Sequence, residues 1–172
     1  MRRFFLLFLL FCMGLTSCSA PSQKTGDIKK SESEENIYIK YQYSSEIKND
    51  IIEVDNDKLT YSYVDENRLD DLPEILEQRP YWTSDDMITI EKDLSDSQIK
   101  ELKEIINSGF FNLNDIEGMK ERGERYYPYT ISVNVGERSK TVEYRSNPQA
   151  DKMPDVFEKL LNKLYSLTGV GQ

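Results

Sequence analysis

Three pairs of neighbouring carboxylates, Asp55 with Asp57, Asp70 with Asp71 and Asp85 with Asp86, are the residues of this chain best placed for acid–base or metal chemistry. Paired acids can act as general acid and base, or as hard oxygen ligands for calcium. None of the three has the alternating oxygen donors around a glycine that a calcium loop needs, and a chain with 31 acidic residues brings acids together by chance. They read as solvated loops. Histidine is absent and only two cysteines occur, Cys12 and Cys18. Imidazole bases and histidine-ligated zinc are thereby excluded. The residue types require no cofactor and no metal and predict that the protein is not an enzyme; the catalytic alternatives that remain are a carboxylate-dependent enzyme or a serine nucleophile with a lysine base.

Cys18 has a different chemistry. The chain opens with Arg2 and Arg3, continues through an uninterrupted apolar run from Phe4 to Met13, and reaches small residues at Gly14, Thr16 and Ser17. A run of this length is short of the roughly 20 residues that cross a bilayer, so it reads as an export signal rather than a permanent span. Leu15, Thr16, Ser17 and Cys18 then resemble the bacterial lipobox, an aliphatic residue, two small ones and a cysteine. The resemblance implies that the Cys18 sulfur carries a diacylglycerol and that the chain is cut just before it. Each buried acyl methylene contributes about 0.8 kcal/mol, so two or three chains hold a protein almost permanently where one holds it marginally. The competing reading makes Cys12 and Cys18 ordinary signal-peptide residues or a disulfide pair, but Cys12 lies inside the apolar run and would leave with the signal. No thiol then remains in the mature chain, and its core alone must stabilise it. Ser19 after the cysteine resembles the signal for the outer membrane, facing the periplasm, in a host with two membranes.

Loss of residues 1–17 removes two arginines and no acid, leaving 20 cationic side chains against 31 acidic ones, a net charge of −11. Such a surface offers no basic stripe to nucleic acid and is repelled by anionic headgroups, so the acyl chains rather than the domain must hold the membrane. Residues 18–36, the lipidated cysteine followed by SAPSQKTGDIKKSESEEN, are too polar to fold and read as a disordered tether. A chain of that length and composition spans on the order of 25 Å.

Two loops carry the residues suited to binding a partner. QRPYWTSDD brings Arg79, Tyr81 and the only tryptophan, Trp82, beside Pro80; NDIEGMKERGERYY brings Arg122, Arg125 and Tyr126 together with Gly118 and Gly123. Aromatic and arginine side chains dominate binding hot spots. The plainer reading makes Trp82 a core side chain over a sheet edge and the second loop a connection.

These loops need a scaffold, and residues 37–168 supply one α+β domain, with 169–172 as a tail. Ile37, Ile39, Tyr41 and Tyr43 alternate with polar residues as a half-buried strand, and Ile52 and Val54, a turn at Asp55–Asp57, and Leu59, Tyr61 and Tyr63 form a hairpin. DDLPEILEQRP predicts at most two helical turns, and Ile88 and Ile90 restore a strand. Ser95 and Gln98 have capping-box spacing before Ile99, Leu102, Ile105 and Ile106, which predicts a helix ending at Gly109. Tyr127, Tyr129, Ile131, Val133 and Val135, then Gly136, then Val142 and Tyr144 form a second hairpin. A closing helix after Pro154 sets Val156, Phe157, Leu160, Leu161, Leu164 and Tyr165 on one stripe. Strands with one wet face and two helices with one apolar stripe each are satisfied by a largely antiparallel sheet with both helices on one face.

The order of a strand, a capped helix ending in FF, a polar loop, the YTISVNVG hairpin and the FEKLLNKL helix, over about residues 86–168, resembles the emfourin-type module and several bacterial lipoprotein families. Some emfourin-type domains inhibit metalloproteases. The likeness implies a non-catalytic module that binds an envelope protein or peptide, protease inhibition being one form; it assigns inhibitory contacts to no residue here. A structural or assembly lipoprotein of the envelope is the alternative.

Overall fold

A computed structural model describes residues 35–65, 67, 82–118, 126–148 and 151–170. Ser33–Gln172 is one compact unit. Its strands are β1 (Ile37–Ser44), β2 (Asn49–Asp55), β3 (Lys58–Val64), β4 (Met87–Asp93), β5 (Ile116–Glu117), β6 (Tyr129–Val135) and β7 (Arg138–Arg145). Its helices are α1 (Asp96–Asn107) and α2 (Asp155–Thr168). The strands make one sheet in the order β4-β3-β2-β1-β6-β7-β5, antiparallel throughout except where β5 runs parallel to β7. The fold is α+β, as the pattern of alternation predicts.

The register explains the two faces. Tyr61, Ile52, Tyr41, Ile131 and Val142 lie opposite one another across five strands, and every one of them is buried. The next row along, Thr60, Glu53, Lys40, Ser132 and Thr141, points the other way and is polar. Period-two alternation therefore gives the sheet one face for a core and one for water. The apolar face joins Leu102 and Ile106 of α1 and Phe157, Leu160, Leu161, Leu164 and Leu167 of α2 in a single buried cluster. Each such side chain contributes about 1.5–3 kcal/mol on leaving water. On the wet face Lys40 and Glu53 pair at 2.7 Å, and Ser132 and Thr141 hydroxyls meet at 2.8 Å.

Helix boundaries follow the local chemistry. Ser95 caps α1: its Oγ accepts from the Gln98 amide at 3.4 Å, while Gln98 Oε1 accepts from the Ser95 amide at 2.8 Å. Gly169 ends α2 with φ of +75°, a conformation that costs glycine least. The β2–β3 turn places Asn56 at φ +54°, and the Asn56 carboxamide oxygen accepts from the Ile37 amide at 3.2 Å, tying the turn to the start of β1. The short helix expected within DDLPEILEQRP lies outside the described residues.

Candidate functional site

The alternation in β2 that buries Ile52 and Val54 also puts Asp50 on the helix-facing side, where it is 2% exposed. A carboxylate in that position must be compensated, because an unpaired buried charge costs several kcal/mol. Three donors converge on it. Tyr61 of β3 donates to Oδ1 at 3.2 Å, Tyr165 of α2 donates to Oδ2 at 2.6 Å, and the Lys48 ammonium lies 2.9 Å from Oδ2. The Tyr165 oxygen is also 3.2 Å from that of Tyr41 on β1, so four elements of chain share one polar network.

The rings around this network pack on one another. Tyr165 meets Tyr41 edge-on with centroids 5.5 Å apart and Tyr61 edge-on at 6.3 Å, while Tyr61 stacks on Tyr63 at 4.8 Å. Tyr43 and Tyr129 lie at 4.5 Å across the β1–β6 pair. The Lys48 ammonium sits 5.7 Å from the centre of the Tyr165 ring. Burial holds the Tyr41, Tyr61 and Tyr165 hydroxyls well above the ordinary phenol range; the neighbouring Tyr41 hydroxyl and Asp50 carboxylate push Tyr165 further the same way. Phenols held protonated are donors, and Asp50 is an acceptor whose oxygens they occupy. The arrangement serves to fix α2 to the sheet.

Trp82 stands at this same end of the sheet. Its indole nitrogen donates to the Ser45 carbonyl at 2.9 Å, and Ser45 and Lys48 close the β1–β2 turn through an amide-to-carbonyl bond of 2.7 Å. The half-buried tryptophan thus braces the turn that delivers Lys48 to Asp50. Tyr126 is half-buried just before β6. Cys18, Tyr81, Arg122 and Arg125 lie outside the described residues.

The base of the loop bearing Arg122 and Arg125 is built tightly. The Gly118 amide donates to the Arg145 carbonyl at 3.1 Å, and a Cβ added at Gly118 would overlap Ser146 Oγ and Asp151 Oδ2. Ser146 donates to the Asp151 carboxylate, and Tyr144 donates to the Asp151 carbonyl. Asp151 thus clasps the end of β7 and the residue that follows it.

One expectation is corrected. Asp85 is exposed, but its neighbour Asp86 is fully buried and accepts from the Thr83 amide at 3.0 Å and the Thr83 hydroxyl at 2.8 Å. It is a local cap for the turn Ser84–Asp86, not a solvated loop acid. Asp55 and Asp57 are exposed. Among the described residues no group of three or more histidine, cysteine or acidic side chains is placed to hold a metal ion. No helix among them is long and apolar enough to cross a membrane.

Asp50 was legible in part. In NDIIEV it stands two residues before Ile52, in phase with the core side of the strand, which marks a carboxylate in need of partners. Neither a protein-family model nor a curated protein matches this chain.

Proposed function

We propose that this protein is an envelope lipoprotein, anchored to the membrane through acyl chains on Cys18, whose domain is a non-catalytic module that binds a protein or peptide. Protease inhibition is one specific form of that role. The observation that carries the reading is the sequence Leu15-Thr16-Ser17-Cys18 directly behind a short apolar run with an arginine-bearing start. Its location places the domain where exported proteins and peptides pass. The acidic surface supports attachment by lipid alone, and the saturated Asp50 network supports a rigid recognition scaffold over a catalytic centre.

Labelling cells with a fatty-acid analogue tests the anchor. Wild-type protein takes up label and is shortened, whereas Cys18→Ala remains an unlabelled precursor, because both thioether formation and the later cut require the sulfur. Normal labelling of Cys18→Ala overturns the lipoprotein reading. Cross-linking in intact envelopes tests capture: the wild type recovers a partner, and Arg122→Ala with Arg125→Ala recovers less of it at unchanged thermal stability. Failure of the wild type to recover any partner overturns the binding role.

A further inference from the structure

The two edges of the sheet differ. At one, β7 is flanked by the two-residue β5, and Asp115 Oδ1 accepts from the Glu143 amide at 2.9 Å, so part of the outer row of β7 is occupied. At the other stands β4, seven residues long and exposed along most of its length. Its pairing with β3 is fixed by two backbone bonds just beyond its ends, from the Asp65 amide to the Asp86 carbonyl at 3.0 Å and from the Leu94 amide to the Asp57 carbonyl at 2.8 Å. In an antiparallel ladder the residues that bond inward alternate with those that bond outward. With Asp86 and Leu94 inward, Ile88, Ile90 and Lys92 also bond to β3, and Met87, Thr89, Glu91 and Asp93 turn their backbone groups away. The Met87 amide is used by the Ser84 carbonyl. The amides of Thr89, Glu91 and Asp93 have no acceptor among the described residues.

The side chains beside this open row are sorted by face. On the helix side Ile88 is 37% exposed and Ile90 half-buried, an apolar strip that ends at Lys92, whose ammonium donates to the Leu167 carbonyl at 3.1 Å. On the wet side stand Thr89, Glu91 and Asp93; Asp93 is paired with Lys58, while Glu91 has no ion pair among the described residues. An edge that none of the described residues covers is a template for strand addition. A second copy is a poor occupant, since it would bring an equally acidic body and its own Glu91 and Asp93 to the same seam.

Deepening the binding role proposed above, and resting on it, we infer that β4 takes up an extended segment of the captured partner as an eighth strand, one that alternates apolar and basic residues. The apolar residues extend the strip of Ile88 and Ile90, and the basic ones face Glu91 on the wet side. Main-chain bonds to Thr89, Glu91 and Asp93 supply affinity, and the alternation supplies selectivity.

The probe is a nine-residue peptide alternating lysine and valine, titrated into the full-length lipoprotein in detergent micelles. Thr89→Pro is the informative variant, because proline is tolerated where the strand amide points away from the sheet, and it removes one outward donor and obstructs the incoming backbone. Glu91→Lys reverses the charge at an exposed site that makes no bond to β3 through its side chain. Binding of the peptide with slowed exchange of the Thr89 and Glu91 amides, weakened at least about tenfold by either change and by replacing the peptide's lysines with glutamate, supports the inference. Equal binding by wild type and Thr89→Pro, or no binding by wild type, overturns it. Thr89→Pro that still recovers the natural partner in the envelope as well as wild type also overturns it, and leaves the capture reading standing. Wild-type protein that recovers no partner at all sinks that reading and this one together.

Discussion

Tyr165 and Asp50 are 115 positions apart in the chain, and the tyrosine hydroxyl donates to Asp50 Oδ2 at 2.6 Å. The bond joins the last turns of α2 to the first residues of β2. It does so where the sheet's apolar face carries the buried carboxylate of Asp50, so the helix is fixed in register as well as buried. Hydrophobic packing alone tolerates sliding of a helix along a sheet, whereas a hydrogen bond of defined length does not.

Tyr165→Phe keeps the ring and removes that bond. A hydrogen bond to a charged group contributes about 1.5–3 kcal/mol, and its loss leaves Asp50 with Tyr61 and Lys48 only. The expected outcome is a drop of that size in urea-unfolding stability with an unchanged slope, while Tyr63→Phe, whose ring stacks on Tyr61 without joining the network, changes stability by less. Equal effects of the two substitutions would contradict the role assigned to the Tyr165 hydroxyl.

The elements of this fold were readable because each obeys a local rule. Ile37, Ile39 and Tyr41 alternate, Ser95 and Gln98 cap, and Phe157, Leu160, Leu161 and Leu164 repeat with the helical period. The same rules placed Tyr41, Tyr61 and Tyr165 on core-facing sides. They cannot say which tyrosine meets which acid, since periodicity assigns a face and not a partner. Nor does it give strand order: β1 lies between β2 and β6 because both hairpins must share one apolar face, a condition that becomes visible only in three dimensions. The two-residue β5 has no period at all. Asp86 was misread for a related reason, because a turn acid that caps its own backbone looks in sequence like one that faces water.

The tyrosine cluster makes stability sensitive to alkali. Burial raises the Tyr41, Tyr61 and Tyr165 hydroxyls in the folded protein above their value in the unfolded chain, near 10.0. Above that pH the unfolded chain loses protons that the folded protein keeps, so the unfolded state is favoured as pH rises. The stabilisation is complete below about pH 10 and is lost above it, at about 1.4 kcal/mol per pH unit for each tyrosine that stays protonated in the fold. Urea unfolding between about pH 9 and pH 11.5, with phenolate absorbance followed in parallel, measures this. The buried rings should ionise only as the protein unfolds. Stability that stays level across that range, or smooth ionisation of all tyrosines in the folded protein, would be incompatible with it.

Gly118 provides the sharpest steric test. A Cβ there overlaps three atoms, Ser146 Oγ, Ser146 Cβ and Asp151 Oδ2, which are themselves held by the Ser146–Asp151 bond. Gly118→Ala must therefore push β5 away from β7, breaking the amide bond to the Arg145 carbonyl and costing roughly 1–3 kcal/mol by overpacking. Ser146→Gly alone also destabilises, because Asp151 loses a donor in a site where Ser146 is buried. Combined, the two changes should cost less than the sum of their separate effects: removing Ser146 Cβ and Oγ takes away two of the three obstacles, and only Asp151 Oδ2 remains. Contacting residues commonly show interaction energies of about 0.5–3 kcal/mol in such a cycle. Chemical denaturation of the four proteins gives the energy, and hydrogen exchange at the Gly118 amide shows whether β5 has lifted. Simple additivity, with that amide still protected in Gly118→Ala, would mean that β5 and the Ser146–Asp151 clasp accommodate the methyl group by another route, and the base of the arginine-bearing loop would not be the rigid mount that this packing implies.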